Sequence, residues 1–133
     1  MSGPVPLDAP ALLGFWTERH LATLTTLRRD GSPHVVAVGA TLDVPGGLVR
    51  VISSRRAAHV RHVLGGQERV AICQVDGARW TTVEGSAVVR ESPPEVAEAV
   101  RRYAERYRTP RPNPERVVIE VSVTRVLGSD KFR

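Results

Sequence analysis

The residues best suited to chemistry begin with Arg79 and Trp80, just after an Asp76-Gly77 turn and near Gln74. An indole offers a flat apolar face, and a guanidinium a permanent charge with a planar fork of donors. Together they suit a flat ring system that carries anionic groups. A second stretch, Ile52-Ser53-Ser54-Arg55-Arg56, leaves an expected strand and enters an expected helix. Hydroxyls, guanidinium forks and the free amides of a helix N-terminus form a phosphate site. The same stretch also reads as a loop with a serine cap and solvated arginines. His59 and His62, three apart on that helix, can share a face. Metal ligation needs a third and fourth ligand, and none has suitable spacing. No metal is therefore expected, and His59 reads as a donor to an anion.

Arg101, Arg102, Arg106, Arg108 and Arg111 crowd the end of a second expected helix and the loop after it. Cations there favour the helix end, and Glu98 with Arg102 is a good i,i+4 pair, so a solvated face is one reading. The other has Arg106, Arg108 and Arg111 holding a ligand's acidic tail. Neither a phosphate-binding P-loop nor a G-x-G-x-x-G fingerprint is present. Glu84-Gly85-Ser86-Ala87 lacks the second glycine of a nucleophile elbow. Catalytic side chains are thus unassigned. An enzyme of this composition would let a cofactor carry the reaction, with the protein supplying position and electrostatics.

The elements that position these residues are short and β-rich. Asp8 is expected to cap a helix ending near Arg19, with Leu12, Leu13, Phe15 and Trp16 on its apolar face. Residues 21–27 read as a strand, Asp30-Gly31 as a hairpin turn, and His34 to Leu42 as one continuous second strand. Strands are further expected at 48–53, 70–75, 79–90 and 116–127, with helices at 57–64 and 94–107. Ser92 and Glu95 fit a capping box, and the prolines of 109–114 impose an extended loop. Six strands and two to three short helices predict a mainly β protein, a small antiparallel barrel. One domain over 1–133 is expected, with residues 1–7 flexible. So small a barrel has little interior room, which moves any large ligand to the outer wall or between two copies.

Apolar residues make up 41% and charged residues 25%, as in ordinary globular chains. No apolar run reaches the roughly 20 residues of a membrane span, and the opening residues show no signal peptide. Cys73 is the single cysteine, so no internal disulfide forms. A cytoplasmic address follows. The net charge is +5, and every Lys or Arg except Lys131 is arginine. That fits an anionic ligand, or simply a GC-rich genome. Nucleic acid ranks last, because the basic residues alternate with acids and only two Trp, two Tyr and two Phe are present.

Several stretches together resemble a known family: residues 20–27, 32–39, Gln74 to Trp80, Glu84-Gly85, and Arg102 to Pro114. They resemble the flavin/deazaflavin oxidoreductases of the pyridoxamine-phosphate-oxidase-like split-barrel superfamily. Within it they are closest to the branch of actinobacterial F₄₂₀-dependent biliverdin reductases. The resemblance implies a six-stranded split β-barrel, a homodimer with two sites at the subunit interface, and a small-molecule substrate. It also implies coenzyme F₄₂₀, with FMN as the alternative cofactor, and a reductase passing a hydride to a conjugated acceptor such as biliverdin. A non-catalytic carrier of a flavin-like or tetrapyrrole ligand is the remaining alternative. By position, Ile52, Ser53, Ser54 and His59 would face the phosphate arm, with Arg55 or Arg56 adding charge. Val36, Ala37, Val38 and Gly39 would back the ring, with Gln74, Arg79 and Trp80 near it. The family usually has lysine and asparagine where this chain has His59 and His62.

Overall fold

The computed structural model describes residues 4–132. Helix α1 (Pro10–Thr17) precedes strands β1 (Ala22–Leu27), β2 (Pro33–Val38), β3 (Ala40–Asp43) and β4 (Leu48–Ser54). Helix α2 (Ala58–Leu64), β5 (Arg69–Asp76), β6 (Arg79–Arg90), α3 (Pro93–Arg106) and β7 (Arg116–Gly128) follow. All strand pairs are antiparallel, in the order β2-β1-β5-β6-β7-β4-β3. The two outermost strands, β2 and β3, are neighbours in the chain and separated only by Gly39. The sheet must therefore curl until its edges meet at that residue, which gives the split barrel.

The strand expected from His34 to Leu42 is thus two strands, and the sheet has seven rather than six. The cause lies at Gly39. A Cβ there would sit 2.7 Å from the Tyr103 ring and 3.1 Å from that of Tyr107. Only a residue without a side chain lets the backbone pass beneath both rings. The Tyr107 hydroxyl accepts from the Ala40 amide at 3.1 Å and donates to the His20 carbonyl at 2.5 Å. These bonds pin the crossover from one edge to the other.

The interior follows period-two alternation. Leu24, Ile72, Val83, Val49, Val51, Ile119 and Val121 point inward, and α1 closes one end with Leu12, Phe15 and Trp16. Some local expectations change. Asp8 does not cap α1; Ala9 holds that position and Pro10 starts the helix, which ends at Thr17 rather than near Arg19. The Ser92 hydroxyl donates to Glu95 Oε1 at 2.7 Å, so the two capping-box side chains meet each other rather than the backbone. Of the segment expected to be flexible, Val5 is buried and its amide donates to the Val126 carbonyl at 2.7 Å. Residues 1–3 lie outside the described residues.

Between β6 and β7 the register slips at Glu84/Gly85, with Thr124 left over as a bulge. A Cβ on Gly85 would overlap the Ser122 carbonyl oxygen and stand 2.7 Å from Val121 Cγ1. Backbone cannot yield as a side chain can. Gly85→Ala should cost about 1–3 kcal/mol by overpacking, read as a clear fall in melting temperature, whereas Gly31→Ala, where a Cβ meets nothing within 4 Å, should show only the milder strain of a positive-φ turn.

Candidate functional site

Strand β4 ends in Ser53 and Ser54, both half-buried, before the turn into α2. The amides expected to be free at this turn are partly spent. That of Arg55 donates to Glu115 O at 2.9 Å and that of Ala57 to Ser54 O at 3.0 Å. Helix α2 has only seven residues and no side-chain cap. What remains for an anion is side chains. The Ser54 hydroxyl has no hydrogen-bond partner among the described residues, while Ser53 Oγ lies 2.7 Å from His59 Nε2. Arg55 pairs with Glu91 at 2.6 Å, and Arg56 is exposed and loosely paired with Glu115 at 3.4 Å. Ile52 is half-buried beside them.

His59 is buried, and His62 Nδ1 meets Thr26 Oγ1 at 2.9 Å. A third histidine joins them: the His34 ring stacks 6.4 Å from His59 and lies edge-on 5.2 Å from His62. His34 Nδ1 is buried without a hydrogen-bond partner. His34 was missed in the sequence, although the Asp30-Gly31 turn sets a register that places it opposite Thr26. Burial pushes the His59 and His62 imidazoles below their ordinary value, helped by basic neighbours: His34 and His62 act on His59, and His34, Arg28 and Arg61 on His62.

The side chains of the run 36–39 alternate between two faces. Val36 and Val38 pack toward the core, whereas Ala37 is exposed. Strand β2 is an edge strand, however, so one side of its backbone faces no further strand.

Arg79 and Trp80 also separate, because neighbours in a strand point to opposite faces. Arg79 clasps Glu18 through Nη1 at 3.2 Å and Nη2 at 2.9 Å, and also bonds Asp76. Its guanidinium lies 4.7 Å from the Phe15 ring centroid. Arg79 and His20 hold the Glu18 carboxyl down to about 2. The guanidinium expected to meet a ligand is thus occupied within the chain. Trp80 stays exposed, opposite Val75. Glu18, His20 and Asp76 bring ligand-type atoms within 4.8 Å of one another, but Arg79 already fills their midst.

Gln74 and Arg106 lie in the interior. Gln74 is fully enclosed; its Nε2 donates to Phe15 O at 3.1 Å and its Oε1 accepts from Arg106 Nη2 at 2.9 Å. Arg106 also donates to Glu18 O at 2.9 Å and Ala40 O at 2.5 Å. Both side chains are engaged inside the fold, and Arg106 also lines a pocket of ≈ 150 Å³ with Thr41, Leu42 and Arg102. Arg108 and Arg111 are exposed, and the Arg111 carbonyl accepts from Arg116.

The outer face of β2-β1-β5-β6 carries mostly small or weakly polar side chains. Register aligns Ala37, Thr23, Cys73 and Thr82 in one row, and Val35, Thr25, Ala71 and Glu84 in the next. Val35 is 58% exposed, Val75 62% and Trp80 37%. A shallow depression of ≈ 380 Å³ runs over the same face past Thr25, Ala71, Glu84 and Thr124.

Two outcomes follow from these geometries. A histidine whose folded value lies below its ordinary 6.5 takes up fewer protons folded than unfolded as pH falls. Stability should be full above pH 6.5 and decline below it, so melts at pH 5 should fall several degrees under those at pH 7.5. A His59→Gln/His62→Gln variant should flatten that slope. The carboxyls of Glu18 and Glu98, held low by Arg79 and by Arg101 and Arg102, change their contribution mainly below their ordinary 4.5, so they add little within this window. Arg106→Met should leave Gln74 Oε1 and the Ala40 and Glu18 carbonyls without their donor, each unsatisfied acceptor costing about 1–3 kcal/mol; chemical denaturation measures it.

The family model for pyridoxamine 5'-phosphate oxidase matches residues 9–130. An F₄₂₀H₂-dependent biliverdin reductase of Mycobacterium tuberculosis (strain CDC 1551 / Oshkosh) is 54% identical over 118 residues, covering 88% of this chain and 85% of that protein. Among solved structures, the conserved hypothetical protein Rv2991 of Mycobacterium tuberculosis superposes with a TM-score of 0.79 at 20% identity, over 96% of this chain and 88% of that one. An F420 reductase superposes with a TM-score of 0.71 at 25% identity, over 92% of this chain and 98% of that one. The curled sheet, the crossover at Gly39 and the matched residues lead to one conclusion: the chain belongs to the pyridoxamine 5'-phosphate oxidase family.

Proposed function

We propose that this chain is an F₄₂₀-dependent reductase that transfers a hydride to a linear tetrapyrrole, converting biliverdin to bilirubin. The observation that carries this reading is the extensive identity with the mycobacterial F₄₂₀H₂-dependent biliverdin reductase. The donor set at the end of β4 fits a phosphate-bearing deazaflavin. It offers a free hydroxyl on Ser54, a second hydroxyl on Ser53 beside His59, and the guanidinium groups of Arg55 and Arg56. The open backbone edge of β2 gives a ring something to lie along.

Reduced F₄₂₀, when bound, supplies the hydride, which the acceptor takes at its central methine bridge while a pyrrole nitrogen gains a proton. The protein's own part is binding and positioning. A neutral His59 can donate to Ser53 Oγ through Nε2–H, which leaves the serine proton free to point at an anion. We assign the tetrapyrrole's proton to solvent, since His59 and His62 are both held by hydroxyl partners and disfavoured as cations.

The same reading includes a homodimer. The small-residue face of β2-β1-β5-β6, with Val35, Val75 and Trp80 exposed on it, is the surface we assign to the second copy. Pairing there would shield a cofactor from bulk water. No helix among the described residues is long and apolar enough to cross a membrane. We place the enzyme in the cytoplasm, where a free thiol such as Cys73 stays reduced.

In an anaerobic titration, biliverdin absorbance should disappear only when protein and reduced F₄₂₀ are both present. Ser54→Ala should weaken F₄₂₀ binding about tenfold, the worth of one charge-assisted hydrogen bond, with an unchanged melting temperature. Loss of tetrapyrrole colour without F₄₂₀, or unaltered F₄₂₀ affinity in the variant, would contradict the respective assignment.

A further inference from the structure

A pocket of ≈ 390 Å³ opens between the exit of α1 and the end of α3, lined by Arg19, Leu21, Tyr103, Tyr107 and Arg108. The two tyrosine rings form its floor, 4.9 Å apart and tilted by 34°. The Tyr107 hydroxyl is spent on His20 and Ala40, whereas that of Tyr103 has no hydrogen-bond partner among the described residues. Leu21 is 68% exposed on the rim.

Several arginines meet carboxylates, as Arg55 does Glu91, Arg90 Glu120, Arg101 Glu105 and Arg125 Glu84; this pocket sets two unpaired guanidinium groups beside two aromatic rings. Arg19 and Arg108 have no ion pair or hydrogen bond from their side chains among the described residues. The acids nearest in sequence are already engaged, Glu18 by Arg79 and His20, and Glu105 by Arg101. Two uncompensated guanidinium groups therefore flank one aromatic floor. Such groups bind carboxylates by paired hydrogen bonds, and tyrosine faces accept a flat conjugated body. A monoanion can use only one of them; a ligand with two acidic arms can use both.

The pocket also adjoins the proposed cofactor strand, because Tyr103 and Tyr107 pack directly on Gly39 at the end of β2. Resting on the reductase reading above, we propose that Arg19 and Arg108 form a dicarboxylate clamp that selects the acceptor by its two propionate arms, with Tyr103 and Tyr107 beneath its conjugated body. Arg108 belongs to the arginine group that the sequence suggested for an acidic tail; Arg106 and Arg111 do not line this pocket. A cofactor carrying an acidic tail offers the same carboxylate chemistry, so the test must separate the two sources.

Binding is followed by tetrapyrrole absorbance without cofactor, using biliverdin and its dimethyl ester. Wild-type protein should bind the diacid at least about 30-fold more tightly than the diester, since two charge-assisted pairs are lost. In Arg19→Gln/Arg108→Gln that gap should close to within about threefold, with F₄₂₀ affinity and melting temperature unchanged. Absence of a diacid preference in wild-type protein, including failure to bind either form, overturns the clamp. So does a variant that loses affinity for F₄₂₀ but not for a deazaflavin lacking the acidic tail, because the arginines then serve the cofactor. Diacid-selective binding without any reduction would keep the clamp and remove the reductase reading. Reduction of diacid and diester with equal kcat/KM would do the reverse.

Discussion

One buried guanidinium ties the architecture together. Arg106, at the last turn of α3, sends its donors to carbonyls of Glu18 and Ala40 and to the Gln74 side chain, and lies 5.1 Å from the Trp16 ring centroid. It thus joins the helix, the chain leaving α1, the start of β3 and the middle of β5. Burial disfavours its charge, so it holds only because so many acceptors surround it. Beside it, Tyr107 pins the Gly39 crossover at which the two sheet edges meet. The split barrel closes at this knot, and its clearest candidate binding surfaces radiate from the strands that leave it.

Electrostatics then sort the arginines. Some are structural, such as Arg106 inside and Arg79 in its clasp with Glu18 and Asp76. Others decorate helix α3 as pairs with Glu98 and Glu105 that solvent screens. The others have no carboxylate among the described residues, and those that also line a pocket matter for ligands. Net charge hints at an anionic partner; only the distribution of pairing says which cations are left for one.

Much of the fold was legible because its signals are local. The Asp30-Gly31 and Asp76-Gly77 turns, the period-two runs and the proline loop fix most strands by short-range rules. Gly39 was read as part of a strand because nothing nearby announces the tyrosines that come from more than sixty positions away. Similar long separations hid the inward course of Arg106 to the Ala40 and Glu18 carbonyls, and its bond to Gln74, 32 positions away, was no more visible. Arg79 and Trp80 are a different lesson, since alternation alone places adjacent strand residues on opposite faces. The serines of β4 were legible as hydroxyl donors, while the engagement of Ser53 by His59 and the approach of His34 required the packed helix α2.

The proposed assembly seats a deazaflavin with its phosphate on the β4 arm, between two copies that meet through the outer face of β2-β1-β5-β6. A crystal structure of the protein with F₄₂₀ tests it most directly. The phosphate should lie within hydrogen-bond reach of Ser54 Oγ and the ring along the free edge of β2, enclosed by a second chain. A ring seated elsewhere, or copies that meet through another surface and leave that edge open to solvent, would contradict it.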